Sequence, residues 1–176
     1  ILTSTLDLTP GASVFAVVRN RVRKNYGGIL RIAPSNVGEE SGYTIYFNQG
    51  TSDANSGNII QDKRSAAGAT GAYYDITGFG PPVGSPFLIS NRITNGTTGE
   101  LRISGGLNSD SSITFWGGET SIMPTAQANS YIGLGWAGYQ YDGDISEMIV
   151  FNTPVSDSDR NQIEAYLASK YGVALP

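Results

Sequence analysis

Residues 131–176 read YIGLGWAGYQYDGDISEMIVFNTPVSDSDRNQIEAYLASKYGVALP, and the fold is decided by this stretch. Two strand-like runs lead through a proline turn at Pro154 into one helix, predicted from about Asp157 to Tyr171. Ser156 is placed to cap that helix, and Asp159 stands three residues later, where a capping box puts its acidic partner. Ile163, Tyr166, Leu167 and Tyr171 recur at helical spacing and give a helix of roughly four turns an apolar face. Gly172 sits where a C-cap takes a positive φ.

Upstream, strand signals recur at short intervals with turn chemistry between them. SVFAVVRNRV (13–22) is a strong β run, 28–33 alternates weakly, and GYTIYFN (42–48) alternates with period two. Its Tyr43, Ile45 and Phe47 share one face, and Thr44, Tyr46 and Asn48 the other. Residues 49–71 read as loop, one short strand at Ile59-Ile60, then loop. Further strands are predicted at 72–76, 86–93, 100–105, 113–116, 131–134 and 144–151, about ten or eleven in all. Asn95-Gly96 predicts a type I′ hairpin, with Leu101 and Ile103 of the returning strand inward. Tyr73 and Tyr74 must point to opposite faces, so one faces outward. Many antiparallel strands without intervening helices imply a sandwich or jelly roll. The expected fold is an all-β jelly-roll sandwich of two antiparallel sheets with one C-terminal α-helix, a single domain over 1–176.

The 23 glycines, 8 prolines and 15% charged residues are a turn-rich β composition, and 39% hydrophobic residues with ten tyrosines exclude disorder. With 11 basic and 15 acidic residues, the net charge of −4 excludes a basic nucleic-acid footprint. Arg19, Arg21 and Arg23 share one strand parity, which reads as a solvated strand edge or a contact for an anionic partner. Cysteine and histidine are both absent from the sequence, which removes disulfides, thiolate chemistry, imidazole-ligated metals and His-based triads. No apolar run reaches the roughly 18 residues of a membrane span. Beginning at Ile1, the chain reads as a processed product or a domain cut from a longer protein.

The motif aromatic-x-Gly-x-Ile-x-Glu-hydrophobic appears as Tyr141, Gly143, Ile145, Glu147 and Met148. It is followed by Ile149-Val150-Phe151-Asn152, a short turn, Ser-Asp-x-Asp-Arg and a helix ending Tyr-Leu-Ala-Ser-Lys-Tyr-Gly. This tail resembles the C-terminal signature of concanavalin A-like lectin/glucanase domains, particularly laminin-G-like and pentraxin-like modules. SVFAVVRN resembles that family's early core strand, and GELRISGG its hairpin strand, with Ser104-Gly105 in place of Asn-Gly. The resemblance implies a jelly-roll sandwich of the kind found as accessory domains of secreted bacterial proteins and in phage tail and virion proteins. Most such modules bind glycans or other surfaces without catalysis, and some are only architectural.

Three groups of residues carry candidate chemistry. Asp142, Asp144 and Glu147 form D-x-D-x-x-E, where catalytic laminarinase-type relatives of the resembled superfamily carry E-x-D-x-x-E on a bulged strand. There the first Glu is the nucleophile and the last the acid/base, with carboxyls roughly 5–5.5 Å apart. Here Asp142 is one methylene short, and in a regular strand Glu147 points away from Asp142 and Asp144, so only a bulge converges them. The expectation is no catalysis, with Glu147 accepting backbone or hydroxyl hydrogen bonds.

For metal, Asp53, Asn55 and Asn58 supply oxygens at i, i+2 and i+5, and Asn108 with Asp110 forms a second polar loop; either suits Ca²⁺, or else a set of Asx turns. No other cofactor is implied. For ligand, aromatics in Gly-rich loops suit stacking on sugar faces, against the alternative of core packing. The preferred cluster is Trp136 and Tyr139 with Gln140 and Asn129; the alternative is Trp116 with Glu119. The functional expectation is a non-catalytic lectin-like module recognising a glycan or cell-surface polymer, in a phage virion or tail protein, at an extracellular or virion surface. A decoration domain that contacts other virion proteins is the rival, and a glycoside hydrolase the remote third.

Overall fold

Turn-separated alternation yields eleven strands and one α-helix among the described residues. The computed structural model describes residues 8, 10–22, 24, 26–33, 42–49, 56–64, 70–76, 82–106, 108–122, 129–135 and 139–176. The strands are β1 (Ala12–Asn20), β2 (Gly28–Ala33), β3 (Gly42–Gln49), β4 (Ser56–Arg64), β5 (Gly71–Ile76), β6 (Pro86–Asn95), β7 (Thr98–Ile103), β8 (Asn108–Asp110), β9 (Thr114–Trp116), β10 (Asn129–Ile132) and β11 (Gly143–Phe151); the helix is α1 (Asp157–Tyr171). A five-stranded sheet runs β11-β1-β6-β7-β8 and a six-stranded sheet β10-β2-β3-β4-β5-β9. Every ladder within them is antiparallel, so the expected jelly-roll sandwich with one terminal helix is the observed fold.

The inter-sheet core is built from one parity of each strand. Val14, Ala16 and Val18 of β1 meet Tyr43, Ile45 and Phe47 of β3 in a single buried cluster that also takes in Leu101 and Ile103. One polar tie crosses it: the Tyr43 hydroxyl donates to Asn91 Oδ1 at 2.6 Å. Burial raises the Tyr43 pKa far above its ordinary value, so the donor keeps its proton.

The other parity of β1, Phe15 and Val17, packs with Leu88 under Leu167, Ala168 and Val173 of the C-terminal segment. Ser156 caps α1 by accepting the Asp159 N–H at 3.1 Å, and its own hydroxyl donates to the Asp159 carboxylate at 2.7 Å. Gly172 ends the helix at φ 66°, as its position predicts.

The helix face differs from the expected one. The buried positions are Arg160, Glu164, Leu167 and Ala168, whereas Tyr166 is 53% exposed. Two charged residues stand on the buried stripe because β6 and β7 supply their partners. Arg160 Nη1 donates to Glu100 Oε2 at 2.6 Å, and the Ser90 hydroxyl donates to Glu164 Oε1 at 2.5 Å. Arg102 pairs with the other Glu100 oxygen at 2.9 Å.

Other expectations are corrected locally. β4 is nine residues long rather than a short strand at Ile59-Ile60, and Asn108 and Asp110 belong to β8 rather than to a loop. The Asn95-Gly96 hairpin forms, but neither residue has a positive φ, so the turn is not type I′. The Asn95 side chain instead accepts from the Thr97 N–H and hydroxyl, each at 2.9 Å, an Asx turn that competes with the backbone alternative. β1 is not a strand edge: it lies between β11 and β6, and Arg19 reaches across to Asp144. Arg23 lies outside the described residues.

Leu167 is fully buried, so Leu167→Ala is expected to cost about 2–5 kcal/mol in urea unfolding. Arg160→Leu removes the buried cation that Glu100 and Glu164 share, leaving only Arg102 beside them, and should cost about 3–5 kcal/mol in the same measurement. Burial alone would raise the Glu100 pKa, but the hydrogen bond from Arg102 and the charge of Arg160 outweigh it and hold the group below its ordinary value. A carboxyl depressed in the folded state contributes stability above its unfolded pKa, and that contribution disappears as pH falls through the folded value. Unfolding midpoints should therefore drop on acidification below about pH 4.5, and Glu100→Gln should flatten that part of the profile.

Candidate functional site

Because α1 occupies the outside of the five-stranded sheet, the outer face of the six-stranded sheet is where the remaining aromatic chemistry collects. Register fixes which positions share it. Tyr131 opposes Arg31, Arg31 opposes Thr44, Thr44 opposes Asp62, and Asp62 opposes Tyr73, one row from β10 to β5. Tyr46 stands two residues along from Thr44, and Trp116 opposes Gly71, two residues from Tyr73. All of these positions have the parity opposite to Tyr43, Ile45 and Phe47.

The aromatic members form a continuous belt. Trp116 and Tyr73 have ring centroids 5.7 Å apart. Tyr73 and Tyr26 both pack on Tyr46, which is 2% exposed. Tyr26 lies 6.1 Å from Tyr46 and 5.3 Å from Tyr139, itself 40% exposed. Beside the belt, the Arg31 guanidinium stands 5.7 Å over the Tyr131 ring. The outward tyrosine of the Tyr73-Tyr74 pair is Tyr73, whereas Tyr74 is buried in the core.

Tyr139 reaches this face through an approach of two backbones. Gly28 bridges to Gln140, and the Gly135 N–H donates to the Tyr139 carbonyl at 2.7 Å. A Cβ on Gly28 would collide with the Gly135 backbone, and one on Gly135 with the Tyr26 carbonyl. Glycine is required at both places for the backbone at Gly135 and Gln140 to lie against β2. Tyr26 adopts φ 55°, so its loop holds backbone strain of about 1–3 kcal/mol where it presents the ring.

Tyr139 of one expected ligand cluster and Trp116 of the other thus belong to one aromatic belt. Tyr139 and Gln140 stand at one end and Trp116 at the other, joined by Tyr26, Tyr46 and Tyr73, which sequence spacing does not mark as site residues. Glu119 has a turn role: its N–H donates to the Trp116 carbonyl at 3.1 Å, and its Oε1 accepts the N–H groups of Thr120 and Ser121. Asn129 is at the edge of the sheet, opposite Ala33. Trp136 lies outside the described residues, as do Asp53 and Asn55, while Asn58 occupies β4 by its backbone. Asp110 Oδ1 accepts the Ser112 N–H at 2.8 Å, the Asx alternative to a Ca²⁺ ligand. Among the described residues, no three acidic groups gather as a metal site.

The carboxylate string behaves differently from expectation. Val18 opposes Ile145 and Val17 opposes Glu147, so Ser146 is an extra residue and β11 carries the bulge. Asp144 and Glu147 consequently emerge on the same face rather than on opposite ones, while Ile145 and Met148 both turn to the core. Each carboxylate is already engaged. Asp144 binds Arg19 at 2.5 Å and Arg21 at 3.2 Å. Glu147 accepts from Lys170 of α1 at 3.1 Å and also from the Tyr171 hydroxyl, a donor of the kind expected. Hydrogen bonds from Arg19 and Arg21 lower the Asp144 pKa, and those from Lys170 and Tyr171 lower that of Glu147. A glycosidic general acid needs the opposite shift.

Thr44 is fully buried and its hydroxyl has no hydrogen-bond partner among the described residues. An unpaired buried polar group is a cost, so Thr44→Val is expected to raise stability by about 1 kcal/mol in thermal or urea unfolding.

No family model and no curated protein matches the chain in sequence. Solved structures do match it in fold. Domain 4 of a GH43 extracellular arabinanase from Geobacillus stearothermophilus, in complex with arabinotriose, superposes with a TM-score of 0.63 at 16% identity, over 93% of this chain and 68% of that one. The CBM40 of a Ruminococcus gnavus IT-sialidase, bound to α2,3-sialyllactose, gives 0.64 at 14% identity, over 88% and 82%. A heptameric SAP-like pentraxin from Limulus polyphemus gives 0.58 at 13% identity, over 92% and 72%. At these identities the likeness is one of fold: a β-sandwich of two antiparallel sheets.

Proposed function

We propose that this chain is a non-catalytic glycan-binding module whose ligand lies on the outer face of the six-stranded sheet. The observation that carries the proposal is the belt Trp116–Tyr73–Tyr46–Tyr26–Tyr139, with partly exposed rings at both ends and polar groups beside them. Sugar rings present apolar C–H faces that stack on aromatic rings, while their hydroxyls need nearby polar side chains. Gln140 and Thr114, both exposed, are placed to meet those hydroxyls. Trp136 and Asn129 join the proposed contact by their sequence pattern alone, and Glu119 by its closeness to Trp116 in the chain. Support also comes from the fold neighbours that carry arabinotriose and sialyllactose.

The engaged, ionised state of Asp144 and Glu147 supports a module that binds without cleaving. Display at an extracellular or virion surface, next to other virion proteins, rests on the resemblance of the C-terminal segment alone. A Ca²⁺ role for Asp53, Asn55 and Asn58 rests on their spacing alone.

Glycan-array binding followed by titration calorimetry tests the reading. Trp116→Ala and Tyr139→Ala should each retain cooperative thermal unfolding and lose about 1–2 kcal/mol of binding. Two folded variants that bind as tightly as the parent would remove this face from the proposal. Release of reducing sugar by the parent, abolished in Asp144→Asn and in Glu147→Gln, would overturn the non-catalytic part.

A further inference from the structure

We infer that the belt takes an internal run of several sugars from a linear polysaccharide, and not a single terminal sugar. The inference rests on the glycan-binding reading and adds the class of ligand. Its basis is the separation of the two accessible ends. Trp116 lies on β9, the edge strand of the sheet, and Tyr139 lies in the segment that bridges to β2 through Gln140. The sheet order between them is β2-β3-β4-β5-β9, four strand spacings or about 19 Å.

Tyr46, at the centre of the belt, is closed to stacking, while Tyr26 and Tyr73 on either side of it are partly buried. Tyr46 is 2% exposed, covered by Tyr26 and Tyr73. One sugar ring matches one aromatic ring in size, so a terminal monosaccharide would occupy one end and leave the other unused. A chain of sugars running across the strands reaches both. The two ends then act as linked weak subsites, in which the second contact is made at the high local concentration set by the first.

The test uses the intact chain in affinity electrophoresis against linear arabinan, xylan, laminarin and polysialic acid, with sialyllactose as a chain-end probe in calorimetry. Oligosaccharides of two to six units, cut from the polysaccharide that retards the protein most, then give a length series. Affinity is expected to rise about tenfold or more between the disaccharide and the longest oligomers. Trp116→Ala and Tyr139→Ala should each abolish that rise, so that the longest oligomers bind either variant no more tightly than the disaccharide does. A disaccharide bound as tightly as the hexasaccharide would overturn the inference and leave the glycan-binding reading standing. So would dependence on one end alone, or binding of sialyllactose with no retardation by any polysaccharide. Absence of binding to every polysaccharide and to sialyllactose would overturn both.

Discussion

Arg160 is fully buried, and a guanidinium stays charged at any pH at which the protein folds, so its partners must be in place whenever α1 is docked. Those partners come from β7 and from the next turn of the helix itself. Glu100 binds Arg160 through its carboxylate at 2.6 Å, and its carbonyl accepts a second guanidinium hydrogen bond at 3.3 Å. Glu164, four residues along the helix, lies 3.5 Å from the same guanidinium. A purely apolar helix face would slide over Phe15, Val17 and Leu88 at little cost, whereas a misplaced Arg160 would be a buried unpaired charge. The network therefore sets where α1 sits more than how stable the molecule is. By committing α1 to the five-stranded sheet, it also leaves the outside of the other sheet to the aromatic belt.

The parts of the fold legible in the sequence are those in which one local signal decides. Ser156, Asp159 and Gly172 mark the helix ends by capping chemistry that needs no tertiary partner. Period-two alternation in β3 fixes its inward face. Illegible are the features whose stability comes from elsewhere. Arg160 and Glu164 fall outside the apolar set Ile163, Tyr166, Leu167 and Tyr171 that spacing picks out, and their burial depends on partners at Ser90, Glu100 and Arg102. β4 reads as only a short strand at Ile59-Ile60 because Ser56, Gly57 and Asn58 have poor strand preference, yet it lies between β3 and β5, where its backbone groups are paired on both sides. The bulge at Ser146 leaves no composition signal, and one extra residue there reverses the relation between Asp144 and Glu147.

The site is legible only in fragments. Trp116 and Tyr139 stand out as aromatics near glycine, but they read as rival clusters because they are distant in sequence. Tyr26, Tyr46 and Tyr73, from three further segments, join them. That joining depends on the register of β3, β4, β5 and β9, which is non-local and has no single-sequence signature. One clue is present in the sequence. The alternation of GYTIYFN sets Tyr46 on the face opposite Tyr43, Ile45 and Phe47, so a large aromatic has to be housed outside the core.

The two outer faces consequently do different work. On the five-stranded side, carboxylates are consumed by structure: Asp144 joins β11 to Arg19 of β1, Glu147 joins β11 to Lys170 of α1, and Glu100 and Glu164 hold Arg160. The bulge at Ser146 is what allows Asp144 and Glu147 to serve the same side of the sheet, each with its own cation. Acid/base chemistry requires one carboxyl kept protonated near an ionised one, and cationic partners at both sites push the other way. On the six-stranded side, rings predominate among the described side chains, with Arg31 beside them. Stacking on rings is non-ionic, tolerant of exact sugar identity and repeated along a surface, so it suits recognition of a polymer by its shape and length.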